Sequence, residues 1–244
     1  MRVRSFGSLI YREFFLARKN IGSNLCVYVA YSILGLLIYL SFQYGNLAEV
    51  EADRESVAMF IHIFPLLIGS GICFSLAESC KREVYTPWMR FCHTTPVGCV
   101  KLALAKYVTL ALLNIMSFVI AGAYMWVIAK VSGESLGMGQ FSVVIVLLTF
   151  CNIFGIILQV FTMFFKSQDK AGILMAVILV ATEVVVVTKQ TKSIENAELI
   201  EQMLTWEGIQ SWCLSHLPIC LMIFVLSNVV GFIATALLYK RREK

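Results

Sequence analysis

The sequence predicts an all-α polytopic membrane protein: six transmembrane helices, an N-terminal amphipathic interfacial helix and both termini in the cytoplasm. Three observations carry this. Hydrophobic residues make up 59% of the 244 and charged residues only 14%, where a soluble domain has about 25% charged. The mean hydropathy is +0.81, so lipid must be part of the solvent. The apolar residues also fall in long unbroken runs, not in the ~10-residue alternating segments of a barrel. Finally, the charges are sorted by position, with basic residues in alternate polar pieces of the chain.

The chain is one transmembrane domain over residues 1–244. Spans are expected near 24–43, 57–77, 102–129, 141–165, 171–188 and 216–239. Each supplies the roughly 17–25 apolar residues that a bilayer core requires. The third and fourth are long enough to tilt or project. The first ~20 residues hold no continuous apolar region of the signal-peptide kind, so the first span is expected to act as its own insertion signal.

The sides follow from the basic residues. Arg2, Arg4, Arg12, Arg18 and Lys19 precede the first span. Lys81, Arg82, Arg90, Lys101 and Lys106 follow the second, Lys166 and Lys170 follow the fourth, and Lys240, Arg241, Arg242 and Lys244 close the chain. Together these are 16 of the 20 Lys and Arg. Arg54, Lys130, Lys189 and Lys192 lie on the other side. The positive-inside rule therefore puts both termini in the cytoplasm. Glu49, Glu51, Asp53 and Glu55 crowd the first outer loop, in agreement.

Three polar pieces are more than connectors. In residues 1–21, Val3, Phe6, Leu9, Ile10, Phe14, Leu16 and Ala17 fall largely on one helical face, with Arg4, Arg12, Glu13, Arg18 and Lys19 mostly elsewhere. This predicts a basic helix in the interface that turns into the first span at Gly22. A disordered basic lead-in is the plainer reading. Residues 78–107 form a cytoplasmic loop far longer than a reversal needs, with Pro87, Trp88, Phe91 and Pro96 breaking it into short helices. Residues 189–215, on the outer side, carry apolar residues from Ile194 to Trp212 and four Glu. They predict an amphipathic helix or helix pair broken at Gly208, lying on the surface or folding back as a cap.

Residues 82–107 read REVYTPWMRFCHTTPVGCVKLALAKY. A charged residue, Trp88, Phe91, Thr95-Pro96-Val97 and Lys106-Tyr107 opening the next span resemble the loop between spans two and three of ABC-2 type permeases, the membrane subunits of ATP-driven exporters. The wider plan resembles that family over essentially the whole chain. One departure is local: the family often has Ser-Arg after Pro-Val, where this chain has Gly98-Cys99. The resemblance implies a multi-pass protein of the bacterial cytoplasmic membrane. It would pair with a second copy or a homologous permease and with cytosolic ABC ATPase subunits, which would bind the ATP and Mg. No GxxxxGK[ST] occurs here, so no cofactor is expected in this chain and it is not expected to be an enzyme. Nor does anything point to nucleic acid. By the same resemblance, Trp88 and Phe91 would plug a groove of the ATPase and Glu83, Arg82 and Arg90 would be rim charges. Pro96 would end the coupling helix, and Lys106 would snorkel at the start of the third span. Simple interfacial anchoring is the plainer role for Trp88 and Phe91. The cargo is expected to be peptide, lipid-like or drug-like.

Intramembrane ionisable groups are functional candidates. His62 in the second span and Glu183 in the fifth are possible pathway residues, though both sit toward the outer ends, where headgroup-level snorkelling also explains them. Asn114, Asn152, Gln159 and Asn228 read as interhelical hydrogen-bond partners. Pro218 falls in the first turn of span six. The eight Cys contain no CxxC pair and read as reduced or lipid-buried thiols, with Cys213 nearest the outer face. Two other functions compete. An intramembrane serine protease would use Ser70 and His216, but these fall at different depths. A stand-alone channel or secondary carrier would carry buried charges or broken helices at the midplane, and few are present. A metal site from Cys73, Cys80, Cys92 and His93 lacks ligand-cluster spacing.

Overall fold

The computed structural model describes residues 6–44, 62, 63, 66, 67, 69, 71–85, 98–133, 136–190 and 205–242. Among them the chain forms helices and no strand. They are α1 (Phe6–Tyr44), a 3-10 turn (Gly71–Phe74) running into α2 (Ser75–Tyr85), α3 (Cys99–Ser132), α4 (Met138–Phe165), α5 (Gln168–Gln190) and α6 (Trp206–Arg242). Four helices are long and apolar enough to cross a membrane: Phe6–Ser41, Cys99–Val131, Met138–Phe165 and Trp206–Arg241. Their outward faces expose Leu37, Val119, Met222 and Leu237 among many others, a surface that only lipid can cover at low cost.

Glycines punctuate the helices. α3 starts after Gly98 in extended conformation and ends at Gly133, whose φ of 75 is the left-handed C-cap that glycine adopts freely. α6 starts at Thr205, whose hydroxyl oxygen accepts from the Gly208 amide at 3.1 Å, satisfying an otherwise orphaned donor.

Two expected boundaries are absent. α1 is one helix of 39 residues and passes through Gly22 without a turn. At about 1.5 Å per residue it is ~58 Å long, so its polar first turns extend past a ~30 Å hydrocarbon core. A Cβ at Gly22 would meet nothing within 4 Å, so the glycine marks neither a bend nor a close contact. Likewise Gly208 lies inside the first turn of α6, and Pro218 lies three turns in, not at the helix start. Residues 191–204 of the predicted outer segment lie outside the described residues.

The core is a column of three clusters threaded by α3. At one end Cys99, Leu102 and Ala103 pack with Leu9, Cys80, Met163 and Tyr239. In the middle Tyr107, Leu110 and Leu113 pack with Ile72, Cys151 and Ile156. At the far end Ala121, Tyr124, Met125 and Ile128 pack with Tyr28, Leu66, Val143, Val144 and Cys213. α1 therefore runs parallel to α3, and α4 and α6 run against it. α4 and α6 form the most extensive helix pair. They meet closely where Gly231 faces Ile156 and Tyr107, since a Cβ there would collide with both. Cys213 is buried in the far cluster.

Candidate functional site

Among the described residues, the most buried charges meet at the end of the bundle where α1 begins and α6 finishes. The segment before the second half of α1 places Leu9, Glu13 and Ala17 one turn apart on a single stripe, and all three are buried. Glu13 thus enters the core with its apolar neighbours. Lys106, in the second turn of α3, is 0% exposed. Its Nζ lies 2.8 Å from Glu13 Oε2 and 2.9 Å from Glu83 Oε2 of α2. Ser79 donates to Glu13 at 3.0 Å. Arg12 pairs with Glu83 and lies 3.4 Å from Glu13. Tyr239 of α6 donates at 3.0 Å to Glu83 Oε2, the same oxygen that Lys106 contacts, while Arg12 takes Oε1.

Two cations and two anions therefore balance within one buried cluster that joins α1, α2, α3 and α6. Such balance is what makes burial of charge tolerable, because each lone ion would cost several kcal/mol. Burial alone would raise the Glu83 carboxyl. The charges of Lys106 and Arg12, with hydrogen bonds from Lys106 and Tyr239, outweigh it and hold the group below its ordinary range.

Two expectations are corrected here. Lys106 does not snorkel to the surface: Glu13 and Glu83 hold it inside. Glu83 is no rim charge: it is 3% exposed and held by Lys106, Arg12 and Tyr239. Arg12, Glu13, Ser79 and Tyr239 complete a cluster of which the sequence had suggested two members. The available signal was the i, i+4 spacing of Leu9, Glu13 and Ala17, with Glu13 as the lone acid of the first 20 residues.

The other candidates are dispersed. Trp88, Phe91 and Pro96 lie outside the described residues. His62 is buried at the opposite end of the bundle, its ring stacked on Trp206 at 4.4 Å. Glu183 lies on α5, its side chain outside the described residues. His216 Nδ1 lies 2.9 Å from the Trp212 carbonyl of its own helix, and Ser70 lies outside the described residues. Of the mid-span amides, Asn114 bonds Asn152 across α3 and α4 at 2.8 Å, while Asn228 donates to Phe224 O on its own helix at 2.8 Å.

Beside the middle cluster, a cavity of about 630 Å³ opens between α3, α4 and α6. Leu104, Ile115 and Phe118 of α3, Leu148 of α4 and Phe224 and Phe232 of α6 form much of its wall.

Long lipid-facing helices, a charge cluster fastening their ends at one side and an apolar cavity beside the core define a multi-pass membrane protein of the transport class. The chain belongs to the ABC-2 family transporter proteins: that family's model matches residues 8–233. It is an ABC-2 type permease, a membrane subunit of a kind that is generally non-enzymatic and associates with ABC ATPases. No curated protein and no solved structure matches the chain significantly.

Proposed function

We propose that the chain is one of two permease subunits of an ATP-driven exporter and lines its translocation pathway. A separate cytosolic ATPase, holding the ATP and Mg, grips residues 78–107. The observation that carries this reading is the Glu83–Lys106 ion pair at 2.9 Å. Glu83 leads into the predicted docking segment and Lys106 leads out of it. A force applied to Trp88 and Phe91 between them would reach α3 directly, α1 through Glu13 and Arg12, and α6 through Tyr239.

Six passes, both termini in the cytoplasm and a bacterial cytoplasmic membrane complete the proposal. The opposed directions of α1, α4 and α6 support it, as does the placement of His62 at one end and Glu83 at the other. The cargo is peptide, lipid-like or drug-like.

Co-expression of Trp88→Cys with its ATPase carrying cysteines around the expected groove tests the docking. A disulfide cross-link that forms in membranes, and that nucleotide changes, is the expected result. A purified chain that transports without any ATPase would replace this reading with a channel or secondary carrier.

A further inference from the structure

We propose that a groove between the C-terminal ends of α4 and α6 holds one anionic phospholipid, with an acyl chain between the helices and the phosphate on Arg241. The groove encloses about 410 Å³, within the roughly 300–1,000 Å³ of small-molecule sites. Its α4 wall is aromatic. Phe164 meets Phe165 at 5.2 Å and Phe161 meets Phe165 at 6.1 Å, both edge to face. The rings thus brace one another before anything binds.

On α6 the wall runs from Ala234 through Leu237 to Arg241, about 10 Å along the axis. That is less than half of a ~30 Å hydrocarbon core, so the groove lies within one leaflet. It is apolar along its depth and ends in a cation: among the described residues, Arg241 is the one charged residue of the wall. Arg241 is exposed, and no carboxylate among the described residues pairs with it. Lys166, Lys170 and Lys240, all exposed, flank the wall segments in sequence, against one exposed acid, Asp169.

This pairing of an apolar slot with an open cation selects the occupant. A second copy docked here by two-fold symmetry would bring a basic surface against itself. A soluble acidic partner would leave the phenylalanine wall without an apolar partner. A neutral lipid would leave the guanidinium without an anion. An anionic phospholipid supplies chain and phosphate together, and a guanidinium can meet a phosphate through two parallel N–H donors.

Only the choice of leaflet, the cytoplasmic one, rests on the proposed topology. Binding is read in nanodiscs, which offer both leaflets and hold no ATPase. Its failure is therefore distinct from a failed ATPase cross-link or a failed topology.

The test uses the full chain in phosphatidylcholine nanodiscs and two probes with the same mid-chain diazirine, a phosphatidylglycerol and a phosphatidylcholine. Adducts of the phosphatidylglycerol should concentrate on residues 160–165 and 234–238. They should exceed those of the phosphatidylcholine about tenfold, the size of one charge-assisted hydrogen bond. Excess unlabelled phosphatidylglycerol should remove them, and excess inorganic phosphate should not. Arg241→Gln should bring the two probes level, whereas Arg241→Lys should keep part of the preference. Lys240→Gln removes the same charge one position away, outside the wall, and should stay within about twofold of the unaltered chain. Both positions are exposed, so neither substitution disturbs the packed core. Equal labelling by the two probes in the unaltered chain would mean an annular lipid surface only and overturn the site. Equal losses in Arg241→Gln and Lys240→Gln would mean a diffuse basic surface and overturn the role given to Arg241. Chain-to-chain disulfides through Leu237→Cys, with no lipid adducts in the groove, would give the groove to a second copy and overturn the proposal.

Discussion

Lys106 decides how the residue scale is read. A lysine in the second turn of a membrane helix suggests an interfacial side chain, because a local pattern cannot see partners 93 and 23 positions away. In the fold those partners, Glu13 and Glu83, lie within 2.9 Å. Lys106→Met would leave two carboxylates sharing one guanidinium in a buried cluster. The expected loss is about 3–5 kcal/mol, measured by unfolding in detergent, whereas exposed Lys101→Met should stay within ~0.5 kcal/mol. Similar losses in both would show the cluster to be solvated. Glu83 adds a pH dependence. Its carboxyl is held below the ordinary range, so its stabilisation is complete above the unfolded value of about 4.3. It is lost as pH falls through the lower native value. Unfolding midpoints taken from pH 7 downward should therefore fall below about pH 4, and Glu83→Gln should flatten that part of the curve. An unchanged slope in the variant would remove Glu83 from the acid transition.

At the scale of elements, long apolar runs were legible and their ends were not. The spans predicted near 102–129 and 141–165 fall inside α3 and α4, since hydrophobic length alone marks them. Gly22 and Gly208 read as boundaries because glycine weakens helices. A helix-interior glycine costs only about 1 kcal/mol, and packing of Leu9, Ala17 and Tyr28 along one stripe of α1 outweighs that. Continuity of α1 has a direct consequence. With open space around Gly22, Gly22→Ala should stabilise the protein by roughly 0.5–1 kcal/mol. A turn at Gly22 would reverse the sign. Gly231 is the opposite case, because α6 approaches Ile156 and the Tyr107 hydroxyl too closely for a Cβ. Gly231→Ala should cost about 1–3 kcal/mol in the same unfolding measurement. A neutral result would mean that the α4–α6 contact relaxes freely.

For the whole molecule, charge sorting and core packing point to one arrangement by independent routes. The sorting depends on which loops resist translocation and says nothing of contacts. The packing puts Leu9 and Tyr239, near the two ends of the chain, in one cluster with Cys80 and Cys99, and says nothing of which side of a membrane that is. The packing brings the start of α1, Cys80, Glu83 and Cys99 and the end of α6 to one end of the bundle, with Trp206 and His62 at the other, and the proposed topology makes the first of these the cytoplasmic end. Single cysteines replacing Ser5, Lys244 and Thr191 test this against the unaltered chain, whose own thiols include buried Cys80, Cys99 and Cys151. A membrane-impermeant maleimide should label Thr191→Cys in intact cells. It should reach Ser5→Cys and Lys244→Cys only in inverted vesicles. If Lys244→Cys and Thr191→Cys were labelled from the same face, the number of passes between them would have to be even, and α6 could not be a single traverse. The 37-residue length of α6 makes that outcome hard to accommodate. At about 1.5 Å per residue the helix exceeds the hydrocarbon core, and its unbroken axis cannot return to the side it left.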